Sequence, residues 1–353
     1  MKKLFLPLLL LLMMASCQKP VNVEPAACVD PFIGTGGHGH TFPGATVPFG
    51  MMQFSPDTRM NDWDGCSGYH TSDNAILGFS TTHLSGTGCS DYGDFRFTPA
   101  VGNDTCTVFK HENEDARVGY YSVLLDKGVK VELTTGDRVG IMRCAFPKTD
   151  QAKLLLNMVQ GVNDEFVYES TLDVESPTAI AGFRRTRDWA NEQYLYFYAE
   201  FSKPMTSFAI DEQHNGSFVF DTQDGEPVVM RIAISAVDAE GAKNNLKAEL
   251  ADGEFDFEAL AQKAYDKWNH ELSRVNVEGK NEADMRVFYT NLYHAMIAPN
   301  LFSDADGRYR AHDLKIYHSD RPVYTVFSLW DTFRSLHPLF SLIQRERTVD
   351  FIN

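Results

Sequence analysis

The chain is poor in several features that would narrow its chemistry at once. Only 6 of its 353 residues are cysteine and no Cys-x-x-Cys occurs, which argues against a zinc site or a thioredoxin-like motif. Positive charge is scarce: 32 Lys and Arg stand against 48 Asp and Glu, a formal net charge of −16. Such a surface has no electrostatic attraction for nucleic acid or for an anionic bilayer. Gly-x-Ser-x-Gly is missing, because Gly78 and Ser80 lack the second glycine of a nucleophile elbow, so Ser-His-Asp hydrolysis is disfavoured. No repeat or low-complexity tract is present. What is there is globular in kind. Hydrophobic residues make up 43% and charged residues 23%, which excludes a disordered chain, a collagen-like fibre and a multi-span membrane protein. At roughly 150 residues per domain the length allows two or three domains. Aromatics are abundant, with 25 Phe and 14 Tyr, and suit both β-rich cores and sugar-binding platforms.

Residues 1–16 read MKKLFLPLLLLLMMAS. Two lysines precede an apolar stretch too short to span a bilayer comfortably. Met14-Ala15-Ser16-Cys17 then resembles the lipobox of bacterial lipoproteins. That resemblance implies cleavage before Cys17 and lipidation of Cys17. The mature chain of 353 − 16 = 337 residues would then be held in the bacterial outer membrane, on its periplasmic or surface face. A plain secretory signal with an incidental cysteine is the alternative. Residues 17–27 are polar and Pro-containing, as a flexible tether would be. Cys28, Cys66, Cys89, Cys106 and Cys144 are an odd, widely spaced set. An oxidising compartment permits disulfides, but no pairing is assigned.

Residues 28–100 are rich in Gly, Ser, Thr, Asp and His and read as short strands and long loops. From about 117 to 236 strand patterns dominate: Gly128–Leu133, Val139–Phe146 before Pro147, Tyr194–Phe201 and Pro227–Ala236. Short strands separated by turn signals predict an antiparallel β-sandwich. The period then changes. Residues 237–252, Phe257–Leu272 and Glu282–Met296 have helical spacing, and a further helix is expected from about Leu329 to Ile343. Strands first and helices afterwards argue for separate domains. The last residues, RERTVDFIN, carry no stop or cap signal. They fit a small helical appendage or a larger helical domain that is cut.

Several polar strings are candidate sites. Gly34-Thr35-Gly36-Gly37-His38-Gly39-His40 lacks the Lys-Ser/Thr of a phosphate loop, and two histidines are too few for a metal site, so a tight turn is expected. Asp62-Trp63-Asp64-Gly65-Cys66-Ser67-Gly68-Tyr69-His70 is different. An exposed Trp63 between carboxylates suits a sugar ring: the indole stacks on its C–H face, and acids such as Asp64 accept from hydroxyls. A structural loop with a buried Trp is the alternative. His83-Leu84-Ser85-Gly86-Thr87-Gly88 is another polar loop. Ser303-Asp304-Ala305-Asp306-Gly307-Arg308-Tyr309 resembles the front of a calcium loop but lacks the closing Glu, so a turn is expected. Trp330-Asp331-Thr332-Phe333-Arg334 opens a helix. There Asp331 can accept sugar hydroxyls beside Trp330, or pair with Arg334 at i, i+3.

Taken in order, these strings resemble glycoside hydrolase family 92. The resemblance starts at Val29-Asp30-Pro31-Phe32-Ile33-Gly34-Thr35 and runs through Pro43-Gly44-Ala45, Pro48-Phe49-Gly50 and Gln53-Phe54-Ser55-Pro56-Asp57. It continues through Gly65-Cys66-Ser67-Gly68-Tyr69, His83-Leu84-Ser85-Gly86-Thr87-Gly88 and Gly93-Asp94. Phe288-Tyr289-Thr290, Leu292-Tyr293-His294, Asp306-Gly307-Arg308-Tyr309 and Ser328-Leu329-Trp330-Asp331-Thr332-Phe333-Arg334 complete it. It implies an N-terminal β-sandwich over 28–255, a helical linker over 256–280 and the first helices of an (α/α)6 barrel over 281–353. It also implies a Bacteroidetes host and a calcium-dependent, inverting exo-α-mannosidase acting on mannose-containing glycans, with α-1,2 as a candidate linkage. Trp330 and Asp331 match the family's sugar-contacting Trp-Asp, and the Trp63 loop, with Asp64 and Cys66, matches the segment that the sandwich extends over the pocket. His83 lies in a matching string and is taken with them as substrate-binding.

Family members are roughly twice as long, and their catalytic acid, base and calcium ligands lie beyond the point that this chain reaches. No catalytic residue and no metal ligand is therefore carried over. The expectation is a truncated barrel with uncovered apolar helix faces, inactive and unstable alone. The competing readings are a non-catalytic surface carbohydrate-binding lipoprotein and another sandwich-plus-barrel enzyme such as a disaccharide phosphorylase.

Overall fold

The computed structural model describes residues 24–162, 166–279 and 281–353. The leader, Cys17 and the tether up to residue 23 lie outside the described residues. Strands β1 to β5 are Ala45–Thr46, Gln53–Asp57, Gly78–Ser80, Arg96–Val101 and Asp104–Thr105. Strands β6 to β10 are Phe109–Arg117, Tyr120–Leu125, Lys130–Thr135, Val139–Ala145 and Ala152–Asn157. Strands β11 to β16 are Phe166–Ser176, Ala179–Arg187, Gln193–Phe201, Ser207–Ile210, Gly216–Phe220 and Val228–Ser235. One eight-stranded sheet runs β1-β2-β3-β4-β10-β15-β14, with β5 beside β4; the other runs β11-β12-β13-β16-β9-β8-β7-β6. Every pairing between these strands is antiparallel.

Alternation places the core between the sheets. On β13, Leu195, Phe197, Ala199 and Phe201 join the buried cluster, while Tyr194, Tyr196 and Glu200 remain partly exposed. Phe54, Phe79, Phe97, Leu154 and Phe218 answer from the other sheet. Strand β16 is buried along its whole length. Its outer face is covered by α1, Ala239–Glu249, through Ala242 and Leu246. The expected sandwich is present, and its longest strand, β11, which the sequence patterns did not single out, reaches 11 residues.

The helices follow their caps and stripes. Asp256 accepts from Ala259 N at the start of α2, Phe257–Leu272, whose Leu260, Ala264, Trp268 and Leu272 lie on one buried stripe. Asn281 caps α3, Glu282–Ala295, which buries Tyr289, Leu292 and Tyr293. The helix expected over Leu329–Ile343 is in fact two: α4, Leu329–Thr332, and α5, Leu336–Ile343. Pro338 explains the break. Within a continuous helix its ring would clash with the carbonyl of residue 334, so the helix restarts with Pro338 in the first turn. The last helix, α6, spans Arg345–Ile352. Between α3 and α4, Arg308–Arg310 (β17) and Ile316–His318 (β18) form a small ribbon.

A sandwich loop is inserted into this helical part. Trp268 Nε1 donates to the Thr46 carbonyl at 2.6 Å. Phe49 adopts a left-handed φ of 55°. Its N–H donates to Met296 O at 2.9 Å and its carbonyl accepts from Leu301 N at 2.8 Å. Its ring packs 5.6 Å from both Phe340 and Phe351, with the Arg347 guanidinium 4.5 Å away. Glu271 of α2 accepts from Gln344 at 2.5 Å and from Arg347 at 3.2 Å, tying α2 to the α5–α6 junction. In the calcium-like string the structure shows a turn: Asp304 accepts from Ser235 Oγ at 2.7 Å and from Asn245 Nδ2 at 2.8 Å. Burial raises its carboxyl to about 6. Leu329 and Trp330 of α4, Leu342 of α5, and Val349 and Ile352 of α6 are exposed, so these helices carry open apolar positions.

Phe49→Ala is expected to destabilise the chain by about 3–5 kcal/mol, and Trp268→Phe, which removes only the indole hydrogen bond, by about 1–2 kcal/mol. Urea unfolding followed by far-UV ellipticity checks both. A loss below about 1 kcal/mol for Phe49→Ala would deny the insertion its anchoring role.

Candidate functional site

The Trp63 loop leaves the end of β2 and returns at His70. A short 3-10 turn, Trp63–Gly65, is started by Asp62, whose carboxylate accepts from Gly65 N at 2.9 Å. Arg59 clamps the base of the loop, donating from Nε to Asp73 at 3.1 Å and from Nη2 at 2.5 Å. Trp63 is 55% exposed. Its Nε1 donates to Gly88 O at 3.0 Å, which fixes the indole plane. The rings of His38 and His40 lie 5.0 Å and 4.4 Å from it, the second edge-on. Asp64 Oδ1 meets His38 Nδ1 at 2.6 Å and stands 3.8 Å from His40 Nε2. The His38 bond holds the Asp64 carboxyl below the usual carboxylate range. His40 is buried with a left-handed φ of 51°, and its Nε2 has no hydrogen-bond partner.

The glycine-rich loop is the tight turn expected of it. A Cβ on Gly39 would fall 1.9 Å from Gly34 O, so only glycine permits the approach. The turn is held by Thr71 N donating to Thr35 O at 3.0 Å, and by His70 Nε2 at 3.2 Å from Gly37 O. Its product is an assembly, because it brings His38 and His40 against Trp63 and Asp64. The sequence treated these histidines as a failed metal pair and missed this role. The signal available was the close apposition that four glycines in six residues demand.

Beneath the loop lies a buried polar cluster. His83 Nε2 is 2.8 Å from Asp57 Oδ1, and His83 Nδ1 is 2.9 Å from Gln53 O. Ser80 Oγ donates to the other Asp57 oxygen. Both ring nitrogens are thus committed, and the ring is fully buried. Cys66 is buried as well, and burial pushes its thiol up. The expectation that His83 and Cys66 touch sugar is therefore not met by this geometry. His83 instead supports the loop from below. The reason is local: Gly68, at φ +78°, lies directly over the Asp57–His83 pair and seals it. Trp330 is 82% exposed at the start of α4. Asp331 accepts from Ser328 Oγ. Arg334 turns to the Phe333 ring at 5.3 Å instead of pairing with Asp331. Among the described residues the Trp330–Asp331 pair makes no hydrogen bond or ring contact with the Trp63 loop.

A Cβ on Gly68 would fall 2.4 Å from Asp57 Oδ1 and 2.9 Å from His83 Cδ2, whereas one on Gly86, at φ +73°, would meet nothing. Gly86→Ala is expected to lose only the left-handed strain of about 1–2 kcal/mol. Gly68→Ala should lose at least about 1 kcal/mol more, through the buried pair. Equal losses in denaturant titrations would show that the pair does not carry the loop.

Two family models match this chain. That of the glycosyl hydrolase family 92 N-terminal domain covers residues 28–235, and that of the family's catalytic domain covers residues 241–353. The family GH92 α-mannosidase BT3965 from Bacteroides thetaiotaomicron is similar at a TM-score of 0.88 and 35% identity, over 93% of this chain and 48% of its own. That enzyme has also been solved in complex with mannoimidazole. The family GH92 inverting mannosidase BT2199 of the same species has a TM-score of 0.80 and 27% identity, over 93% of this chain and 47% of its own. A protein of Arthroderma benhamiae, described as an uncharacterized secreted glycosidase, is 23% identical over 87% of this chain and 45% of its own length. The chain thus spans about half the length of the relatives it matches. Match and likeness together place it: the chain belongs to glycosyl hydrolase family 92.

Proposed function

We propose that this chain is the sugar-facing N-terminal part of a calcium-dependent, inverting exo-α-mannosidase that removes terminal mannose from glycans, with α-1,2 linkages as one candidate. The observation that carries the reading is the Trp63 site: an open indole fixed at its N–H, with Asp64 and His38 at its edge. This is the chemistry a pyranose requires. The indole offers a flat apolar surface for the C–H face, and the carboxylate and imidazole take hydroxyl hydrogen bonds. Likeness to the BT3965 α-mannosidase at 35% identity supports mannose as the sugar. Trp330 and Asp331 supply a second open indole and carboxylate of the same kind.

In this reading the sandwich occupies 28–255 and the linker 256–280, and α3 to α6 open an (α/α)6 barrel. Inversion needs an acid and a base about 6.5–9.5 Å apart across the sugar ring. Neither is assigned to this chain, and the chain by itself is proposed to be inactive. Among the described residues no group of three or more His, Cys, Asp or Glu can hold a metal ion. No calcium ligand is assigned to them, and no step is derived through the ion. Lipidation at Cys17 would attach the protein to the outer membrane. Among the described residues no helix is long and apolar enough to cross a membrane.

Joined to the remainder of the family's catalytic domain, the chain is expected to release free mannose from α-mannosides, and EDTA is expected to abolish the release. Full activity in EDTA would sink the calcium assignment. In the same protein Asp331→Ala should lower kcat/KM by roughly tenfold or more, about 1.4 kcal/mol of transition-state binding. A loss under about twofold would make Asp331 a structural residue.

A further inference from the structure

The cysteines are chemistry-bearing residues that the Trp63 site leaves unused, and two of them flank Trp63. Cys66 closes the short 3-10 turn, and its N–H donates to the Trp63 carbonyl at 3.3 Å. Cys89 follows Gly88, whose carbonyl accepts from the Trp63 indole at 3.0 Å. Trp63 is thus bonded through its backbone to Cys66 and through its side chain to the neighbour of Cys89. Glycine at 88 admits the second contact, since a Cβ there would fall 2.8 Å from the indole nitrogen. Cys89 N donates in turn to Thr87 Oγ1 at 3.2 Å, which sets its segment in a turn.

The two thiols lie within reach of each other's charge. Burial pushes the Cys66 thiol up first, and Cys89 comes next, ahead of Asp62 and Asp64. None of these is a cation, so the surroundings do not favour the thiolate that a nucleophile or a metal ligand requires. Access differs between the two: Cys66 is buried and Cys89 is half-buried. The remaining described cysteines lie elsewhere. Cys106 and Cys144 are fully buried in the apolar core between the sheets, and Cys28 packs against the cluster of the helical part.

We propose that Cys66 and Cys89 are a disulfide site, and that the bond staples the Trp63 turn to the Gly88 segment. The oxidant is itself a disulfide, of the kind that an oxidising compartment supplies. Cys89, the accessible thiol, gives up its proton and attacks one sulfur of the oxidant, which releases one thiol. Cys66 then gives up its proton and attacks the Cys89 sulfur of the mixed disulfide, which releases the second thiol. The chain loses two protons and two electrons, and the oxidant carries them away as two thiols. The bond closes the chain from residue 66 to residue 89, a loop that contains Gly68 and His83 of the buried floor. Its benefit is the freedom it removes from the unfolded chain. The site stands whether or not Trp63 meets a sugar.

Peptide mapping of the full chain tests it. Glutathione disulfide is added to the folded chain, remaining thiols are blocked with N-ethylmaleimide in acid denaturant, and the chain is digested without reductant. No Lys or Arg lies between Arg59 and Arg96, so trypsin releases both cysteines in one peptide, residues 60–96. That peptide should be two hydrogens lighter than its dithiol form and should carry no maleimide. Chymotrypsin, which cuts after Tyr69 and Phe79, should leave two fragments that part only on reduction. In Cys89→Ser the Cys66 thiol should take the label. Reduction should lower the melting temperature of the unaltered chain by about 3 °C or more, and that of Cys89→Ser by less than about half as much. Maleimide on both Cys66 and Cys89 overturns the proposal. So does a Cys89 that stops at its glutathione adduct or bonds to Cys28. A bond that forms while reduction lowers both melting temperatures equally overturns the staple.

Discussion

The helical part of this protein is positioned by a short sandwich loop driven into it. Thr46 and Phe49 carry the connection. The Trp268 indole donates to the Thr46 carbonyl, and the Phe49 backbone bonds both to the end of α3 and to Leu301. A left-handed phenylalanine is strained, and here two backbone hydrogen bonds and a ring buried among Phe340 and Phe351 offset that strain. Everything downstream inherits its place from this contact. The α2–α3 pair packs around Trp268 and Tyr293 at 4.4 Å, and Glu271 then ties α2 to Gln344 and Arg347.

The candidate sugar site is built on the same logic of buried support and open surface. Asp57, His83 and Ser80 are hidden and spend their polar atoms on one another and on Gln53. Gly68 closes over them. Above this floor Trp63 is free to face solvent at a fixed angle, because its N–H is held by Gly88. That division of labour leaves the indole and its neighbouring carboxylate as the open part of the loop.

How much was legible in the sequence depended on the range of the interaction. Helices α2 and α3 were readable because Leu260, Ala264, Trp268 and Leu272, then Tyr289, Leu292 and Tyr293, repeat at helical spacing beside Asp and Asn caps. Strands β9 and β13 were readable from alternation and from Pro147. The helix over 329–343 was misread because apolar spacing persists through Pro338, and the periodicity does not register the clash that breaks it. His83 and Cys66 were misread for another reason. Polar residues in Gly-rich strings resemble surface chemistry, yet here distant partners, Gln53 and Asp57, bury His83. The Asp62–His70 string pointed to Trp63 and Asp64 as a candidate pair, while His38 and His40, which the structure sets against them, were not joined to it.

By itself the sequence determined the order of sandwich and helices, the acidic surface and the family. These rest on local propensity, alternation and ordered motifs, all of which are written along the chain. The tertiary structure alone decided which polar residues became floor and which became surface. It brought His38, 26 residues from Asp64, within hydrogen-bond distance. It joined Ser90 to Asp188 across 98 residues, which ties the turn after β12 to the segment whose Gly88 holds the Trp63 indole. Such contacts follow from loop closure over a packed core, where burial and hydrogen-bond satisfaction are settled by the whole fold and not by neighbours in sequence.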